Sequence, residues 1–359
     1  MGNYANFAAG QYSTVTGGSS NEACDGWSII AGGFDNLISI SVTGGDGDGF
    51  IGGGQYNIVT GIGSNEAVVA GENNTVSNAD SAIVAGDENT VSGEYAFLGG
   101  GYTNTLSSEY GVLVGGLNNN VSGEGGYIAA GGYNSVSGEG AVIDGGFNST
   151  AAGTFATIPG GYVNSAAGTY SFAAGARASA AQTGTFVWSD GSDGDTILTS
   201  SRAYQFLARA SGGFTLYTNA ASTVGAQLAA GSGTWASLSD RNVKTNIAPL
   251  DDVAVLDKVA QLPISRWSYK SEHGVRHVGP MAQDFYAAFG VGADDKHITS
   301  IDEDGVALAA IKALHSHVNA LEAKNAQLRA ASTSQSAKIT AMQTQLQHLS
   351  AQIAVLNQR

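Results

Sequence analysis

The chain has 359 residues, 52 of them Gly and 4 Pro, with 13% charged residues and a formal net charge of −15. All 15 Lys and Arg lie at or beyond Arg177, so the first 176 residues have no cation with which to displace counterions from phosphates. Nucleic-acid binding by that half is excluded, and anionic membrane surfaces are disfavoured. The one cysteine, Cys24, excludes an intrachain disulfide and reads as a small buried apolar residue. No apolar run approaches the roughly 20 residues that span a bilayer, so membrane insertion is not expected. A Gly-rich, charge-poor composition fits a disordered linker as well as an ordered repeat. The 43% hydrophobic content and the regular placement of the glycines select the repeat.

The first residues, MGNYANFAAGQYSTVTGG, have neither the basic nor the apolar region of a signal peptide and already read like a repeat. Either a partner holds this end or the chain continues a longer fibre. From Gly71, glycine recurs every 15 residues through Gly86, Gly101, Gly116, Gly131, Gly146 and Gly161. Two apolar columns keep the same period, one through Ile83, Leu98, Leu113 and Ile128, the other through Val76, Val91, Leu106 and Val121. An asparagine column runs through Asn74, Asn89, Asn104, Asn119, Asn134 and Asn164. Segments before Asn57 share the style, but their spacing slips.

Fifteen residues are too few for a helix pair and suit one coil of a β-solenoid, two short strands joined by tight turns. The expected fold is therefore mainly β: a Gly-rich shaft over residues 1–182, with about eight regular coils from residue 62. The Asn column reads as a stacked amide ladder or a left-handed turn position. Tyr102, Tyr133, Phe147 and Tyr162 read as packing residues, with sugar stacking as the alternative. GGDGDGFIGGG at 44–54 occurs once and lacks the acidic spacing of a calcium repeat, so it reads as an insertion. Over residues 50–180 the chain resembles the head repeats of trimeric autotransporter adhesins, and more closely the GGYxNTxSG repeats of bacterial and phage tail-fibre-like proteins. That resemblance implies a trimer about a shared axis.

Residues 183–236 read as a β-rich connector capping the last coil. YQFLARASGGFTLYT suggests a hairpin turning at Gly212–Gly213. From residue 237 the composition becomes globular, with a helix over 250–261, a strand at 264–269 and a helix from Met281. Trp267, Tyr269, Phe285, Tyr286 and Phe289 are expected to fill a small α+β core over 237–310. Ser239 and Lys244 are the candidate nucleophile and base, since a serine hydroxyl attacks only when a base takes its proton. A lysine serves as that base only when burial lowers its pKa from about 10.4. Five residues apart, the two face apart on a helix or a strand. The chain must turn between them, or Lys244 must come from a neighbouring subunit. The plain alternative is that Ser239 or Asp240 caps a short element and Lys244 is a solvated charge.

SDRNVKTNI, LPISRWSYK, HVGPMAQDF and DGVALAAIKAL, in this order before a heptad repeat, resemble the intramolecular chaperone of phage tailspikes, tail fibres and endosialidases. The resemblance spans residues 237–318 and implies a self-cleaving serine peptidase with Ser239 as nucleophile, Lys244 as general base and Leu238–Ser239 as the cut bond. Asp240, Gln283 and Asp284 are possible supporting residues. Val243 stands where the family often has Leu. His273 and His277 have an i, i+4 spacing, but Gly274 between them and the lack of a third ligand point to a surface or core role. His315 and His317 read as solvated. No metal or cofactor is expected.

Residues 311–359 form the last region. Two columns spaced three and four residues apart run from Ile311 and Leu314 to Ile353 and Leu356, which predicts a coiled coil with polar Asn325, Ser332 and Gln335 midway. The Ile/Leu distribution by itself favours a parallel dimer, and the trimer is what the resemblance implies. Together these readings give an extracellular virion-tail or bacterial-surface fibre, a homotrimer that cleaves itself once, with a host-surface glycan or receptor as possible partner. The alternative is a structural or adhesive fibre that keeps its trimerisation domain. No paired carboxylates stand out to support a polysaccharide-degrading spike.

Overall fold

A computed structural model describes residues 5–39, 47–60 and 65–357, and the chain divides into two units. One contains residues up to Thr215 with Gln227–Trp235; the other contains Leu216–Ala226 and everything from Ala236.

The first unit is the solenoid. Each repeat supplies two two-residue strands, as in Thr75–Val76 and Ala82–Ile83, and each strand pairs in parallel with its equivalent in the next coil. Two 13-stranded parallel sheets result. One runs from Phe7–Ala8 to Leu198–Thr199 and is called here the first sheet; the second runs from Thr14–Val15 to Phe206–Arg209. Isolated parallel bridges from Ser19 to Ala176 form a third line. At about 4.8 Å per step the stack is roughly 58 Å long.

The solenoid exceeds the eight coils and the residue-182 end expected from the strict period. At its start, the coils before Asn57 stay in register once two enlarged steps are allowed: Asn36 bonds Asn57 across 21 positions and Asn57 bonds Asn74 across 17. The GGDGDGFIGGG segment falls in the first enlarged step, and its residues 44–46 lie outside the described residues. At its far end, Phe172, Phe186 and Phe206 pair in sequence and stack with centroids 4.7 and 4.6 Å apart. The parallel ladder thus continues through residues assigned from sequence to the connector.

One residue of each short strand points inward. Val76, Val91, Leu106, Ile83, Leu98 and Leu113 are fully buried, each contributing about 1.5–3 kcal/mol of transfer free energy. The Asn column closes the third side as an amide ladder. Asn104 Nδ2 donates to Asn89 Oδ1 at 3.0 Å and to the Gly116 carbonyl at 2.9 Å. The left-handed backbone belongs to the preceding position, such as Thr103 and Asn118, not to the Asn itself. The glycine column is required for space as well as conformation. Gly116 has φ +108, and a Cβ there would lie 2.2 Å from the Gly131 carbonyl oxygen of the next coil.

The expected hairpin at Gly212–Gly213 does not form. The strand before it, Phe206–Arg209, belongs to the second solenoid sheet, and the strand after it, Gly213–Tyr217, pairs with Gly225–Ala229. Trp235–Ser237 completes that three-stranded sheet.

The second unit contains helix α1 (Asp252–Gln261), an antiparallel pair of strands, Ser265–Trp267 and His277–Gly279, helix α2 (Ala282–Phe289) and helix α3 (Ser300–Leu356). Asp251 caps α1 through the backbone N–H groups of Val253 and Ala254, and Gly290 ends α2 in the left-handed conformation. The core is thin. Val255 of α1 packs with Ala309 and Ala310 of α3, joined by Leu256, Val259, Phe289 and Val306. Lys312 and Asp252 form an ion pair at 2.5 Å across α1 and α3. Of the aromatics expected to fill this core, Phe285 is buried, whereas Tyr269 and Tyr286 are exposed. The cluster around Val255, Ala309 and Ala310 takes its aromatic ring from Phe289. Beyond Ala313, α3 continues alone to Leu356, with Leu321, Leu328 and Leu346 exposed along its length. Among the described residues, no helix is long and apolar enough to cross a membrane.

Candidate active site

The strand Trp235–Ser237 delivers Leu238, whose N–H donates to the Gly225 carbonyl at 3.0 Å. Immediately after, the chain makes a single 3-10 turn at Arg241–Val243. Asp240 caps this turn. Its carboxylate accepts from the Asn242 backbone N–H at 2.9 Å and from the Asn242 side-chain amide at 3.0 Å. The turn reverses the chain so that Lys244, held by its own N–H to the Arg241 carbonyl, comes back over Ser239. Lys244 Nζ donates to Ser239 Oγ at 2.5 Å.

A helix or strand would keep these side chains apart, and the turn overcomes the five-residue separation within one chain. Asp240 caps a short element and Lys244 is exposed, as the plain alternative expects, and the capped turn also brings the Lys244 amine to the Ser239 hydroxyl. Asn242, which donates both hydrogen bonds to Asp240, and Gly225, which anchors Leu238, were not singled out from sequence. Asp240 followed two residues later by Asn is the signal for such a turn.

Gln283 and Asp284 stand elsewhere. Both lie in the first turn of α2, and among the described residues neither hydrogen-bonds Ser239 or Lys244. Gln283 borders a surface cavity of about 390 Å³ with Trp267, Tyr269, Met281 and Lys296. Asp284 faces a different cavity, beside Lys258 and Pro263. His277 sits on a strand, where the i, i+4 helical spacing has no meaning; its ring stacks on Trp267 at 4.6 Å and Nε2 meets Glu272 at 2.9 Å. Ser239, Leu238 and Lys244 are all exposed in the single chain.

These features define a class: a β-solenoid shaft followed by a small α+β domain with a preformed hydroxyl–amine pair at the foot of a sheet strand. Residues 239–291 match the family model described as chaperone of endosialidase, and the match opens on Ser239 itself. No curated protein matches the chain. The chain thus places a stretch similar to the chaperone of endosialidase after a β-solenoid, an order consistent with a tail-fibre-like protein.

Proposed function

We propose that this is a homotrimeric fibre protein whose C-terminal domain guides assembly and then severs the Leu238–Ser239 bond. The single observation that carries this reading is the Lys244 Nζ to Ser239 Oγ contact at 2.5 Å, directly after a peptide held on its N-terminal side by the Leu238–Gly225 hydrogen bond.

Chemically, Ser239 Oγ attacks the carbonyl carbon of Leu238 as Lys244, in its neutral form, takes the hydroxyl proton. The C–N bond breaks, and the Ser239 nitrogen leaves as an amine with the proton returned by Lys244. The resulting ester between Leu238 and the Ser239 oxygen is then hydrolysed by water. Nucleophile and carbonyl belong to adjacent residues, so proximity replaces substrate binding and one turnover suffices.

A lysine amine serves as a general base only in its neutral form, which desolvation favours. Packing of further copies around residues 238–244 supplies the desolvation, which ties the cut to assembly. The long helix α3 provides the driving surface. Its apolar column, including Ile311, Leu314, Leu321 and Leu328, is exposed in one chain and would be covered in a coiled coil of parallel copies. After cleavage the shaft has lost the segment that aligned its chains and is kinetically trapped. A virion tail or bacterial surface, facing a host glycan, is the setting such a fibre fits.

The test is expression of wild type, Ser239→Ala and Lys244→Met, followed by denaturing gel electrophoresis. Wild type is expected as two fragments and both variants as one intact band. An intact wild-type band under native folding conditions leaves the alternative, a fibre that keeps its assembly domain.

A further inference from the structure

We infer that the shafts of neighbouring copies pack through one particular face, the outer surface of the second solenoid sheet. The inference rests on the trimeric reading above and supplies the surface which that reading leaves open.

The solenoid's faces differ in chemistry: the bridge line through Tyr102, Leu117, Phe147 and Tyr162 is also partly apolar but includes the acids Glu72 and Asp87, and the second sheet carries the longest apolar, charge-poor surface. Two side-chain columns point outward from the second sheet. The first includes Ile29, Phe50, Phe97, Val112, Tyr127 and Phe206; the second includes Val69, Val84, Val114 and Trp188. Several of these are 37–48% exposed in the single chain, among them Phe50, Phe97 and Val114. From Ile29 to Ala208, these two columns contain one charged residue, Asp144.

The outward positions of the first sheet are instead hydroxyl-rich, through Thr75, Thr90, Thr105, Ser135 and Thr150. Turn positions elsewhere carry acids one coil apart, in the series Glu94, Glu109, Glu124 and Glu139.

A second copy of the chain is the occupant that charge selects. Residues 1–236 contain 18 Asp and Glu against 3 Lys and Arg, while residues 237–359 contain 12 of each sign. Identical shafts in register set like residues against like at every coil. The acidic turns repel under that arrangement, and the second-sheet face does not. Two columns over roughly 58 Å make a strip of on the order of 600 Å², close to the roughly 800 Å² per partner of a standard stable interface. The exposed stripe of α3 calls for identical copies as well.

The test places a cysteine on each face of the full chain in a Cys24→Ser background: Val112→Cys on the second sheet and Thr105→Cys on the first. Each protein is oxidised at low concentration and run on a non-reducing denaturing gel, with its native mass taken by light scattering. Val112→Cys is expected to yield at least 10-fold more covalent pairs than Thr105→Cys, two of three chains being linked at a time. Equal or greater linkage through Thr105→Cys overturns the assignment, as does no linkage through Val112→Cys in a trimer of native mass. A monomeric mass for the Cys24→Ser parent refutes the trimeric reading itself, and the face with it. Both substitutions are at outward positions, and circular dichroism matching the parent confirms that the solenoid has formed.

Discussion

Adjacent glycines in the shaft give a prediction with opposite outcomes one residue apart. Gly116 has φ +108, and a Cβ there would sit 2.2 Å from the Gly131 carbonyl oxygen and 2.6 Å from Asn119 Nδ2. Both obstacles are fixed, since that carbonyl accepts from the Leu117 N–H at 2.9 Å and from Asn119 Nδ2 at 3.0 Å. Relieving the contact means moving the coils apart by about 1 Å, enough to break both hydrogen bonds. Gly116→Ala should therefore cost about 1–3 kcal/mol in backbone strain and about 1 kcal/mol for each bond, or about 3–5 kcal/mol per chain. At Gly115 the nearest atom to a built Cβ is 3.7 Å away and φ is not positive. Gly115→Ala should change stability by no more than about 0.5 kcal/mol. The assay is guanidinium unfolding of the two variants and wild type, with hydrogen exchange at the Leu117 amide as the local readout. Equal losses at the two positions, or a Gly116→Ala midpoint within error of wild type, would refute the steric account.

Three further outcomes follow from particular contacts. Ser149 interrupts the amide ladder, receiving the Asn164 N–H on its hydroxyl at 3.2 Å where other coils use an asparagine; Ser149→Asn should stabilise the shaft by about 1 kcal/mol in guanidinium unfolding, and a loss would show that the rung has adapted to serine. Partial burial, followed by the hydrogen bond to Glu22, pushes the Cys24 thiol up to about 11; at pH 8 its reaction with a disulfide reagent should run on the order of 100-fold slower than free cysteine, and a free-cysteine rate would contradict this. The Ser211 backbone N–H, then the Ser211 hydroxyl and Ser192, hold the Asp190 carboxyl well below the usual carboxylate range. Its contribution is therefore full above about pH 4 and is lost as pH falls toward its lowered folded value. Asp190→Asn should weaken the shaft at pH 7, with the gap to wild type closing on acidification below pH 4; a gap unchanged with pH would show that the charge is not what matters.

The shaft was legible because stacking repeats the same requirement in every coil, so Gly116, Asn119 and Val121 recur with the period of the structure. Its ends were less so. Leu37 and Ile58 pair across an enlarged step that hides the period, and Phe186 and Phe206 pair across another. The alternation around Gly212–Gly213 announced strands correctly but not their partners, because pairing depends on which sheet edge is open nearby. Ser239 and Lys244 were legible as residue types in a family context. Their closeness was not, since it depends on the turn that Asp240 and Asn242 build. Tyr269 and Tyr286 show the limit of reading aromatics as core: Phe285 is buried and Phe289 packs against Val255 and the alanines of α3, while the two tyrosines stay exposed.

The most direct test of the account is the intact mass of the purified protein together with the N-terminal residue of any fragment. Cleavage by the Ser239–Lys244 pair predicts two species, residues 1–238 and 239–359, the second beginning with Ser239, and a single full-length species for Ser239→Ala. A full-length wild-type mass from correctly assembled protein, or a fragment beginning at any other residue, would contradict it.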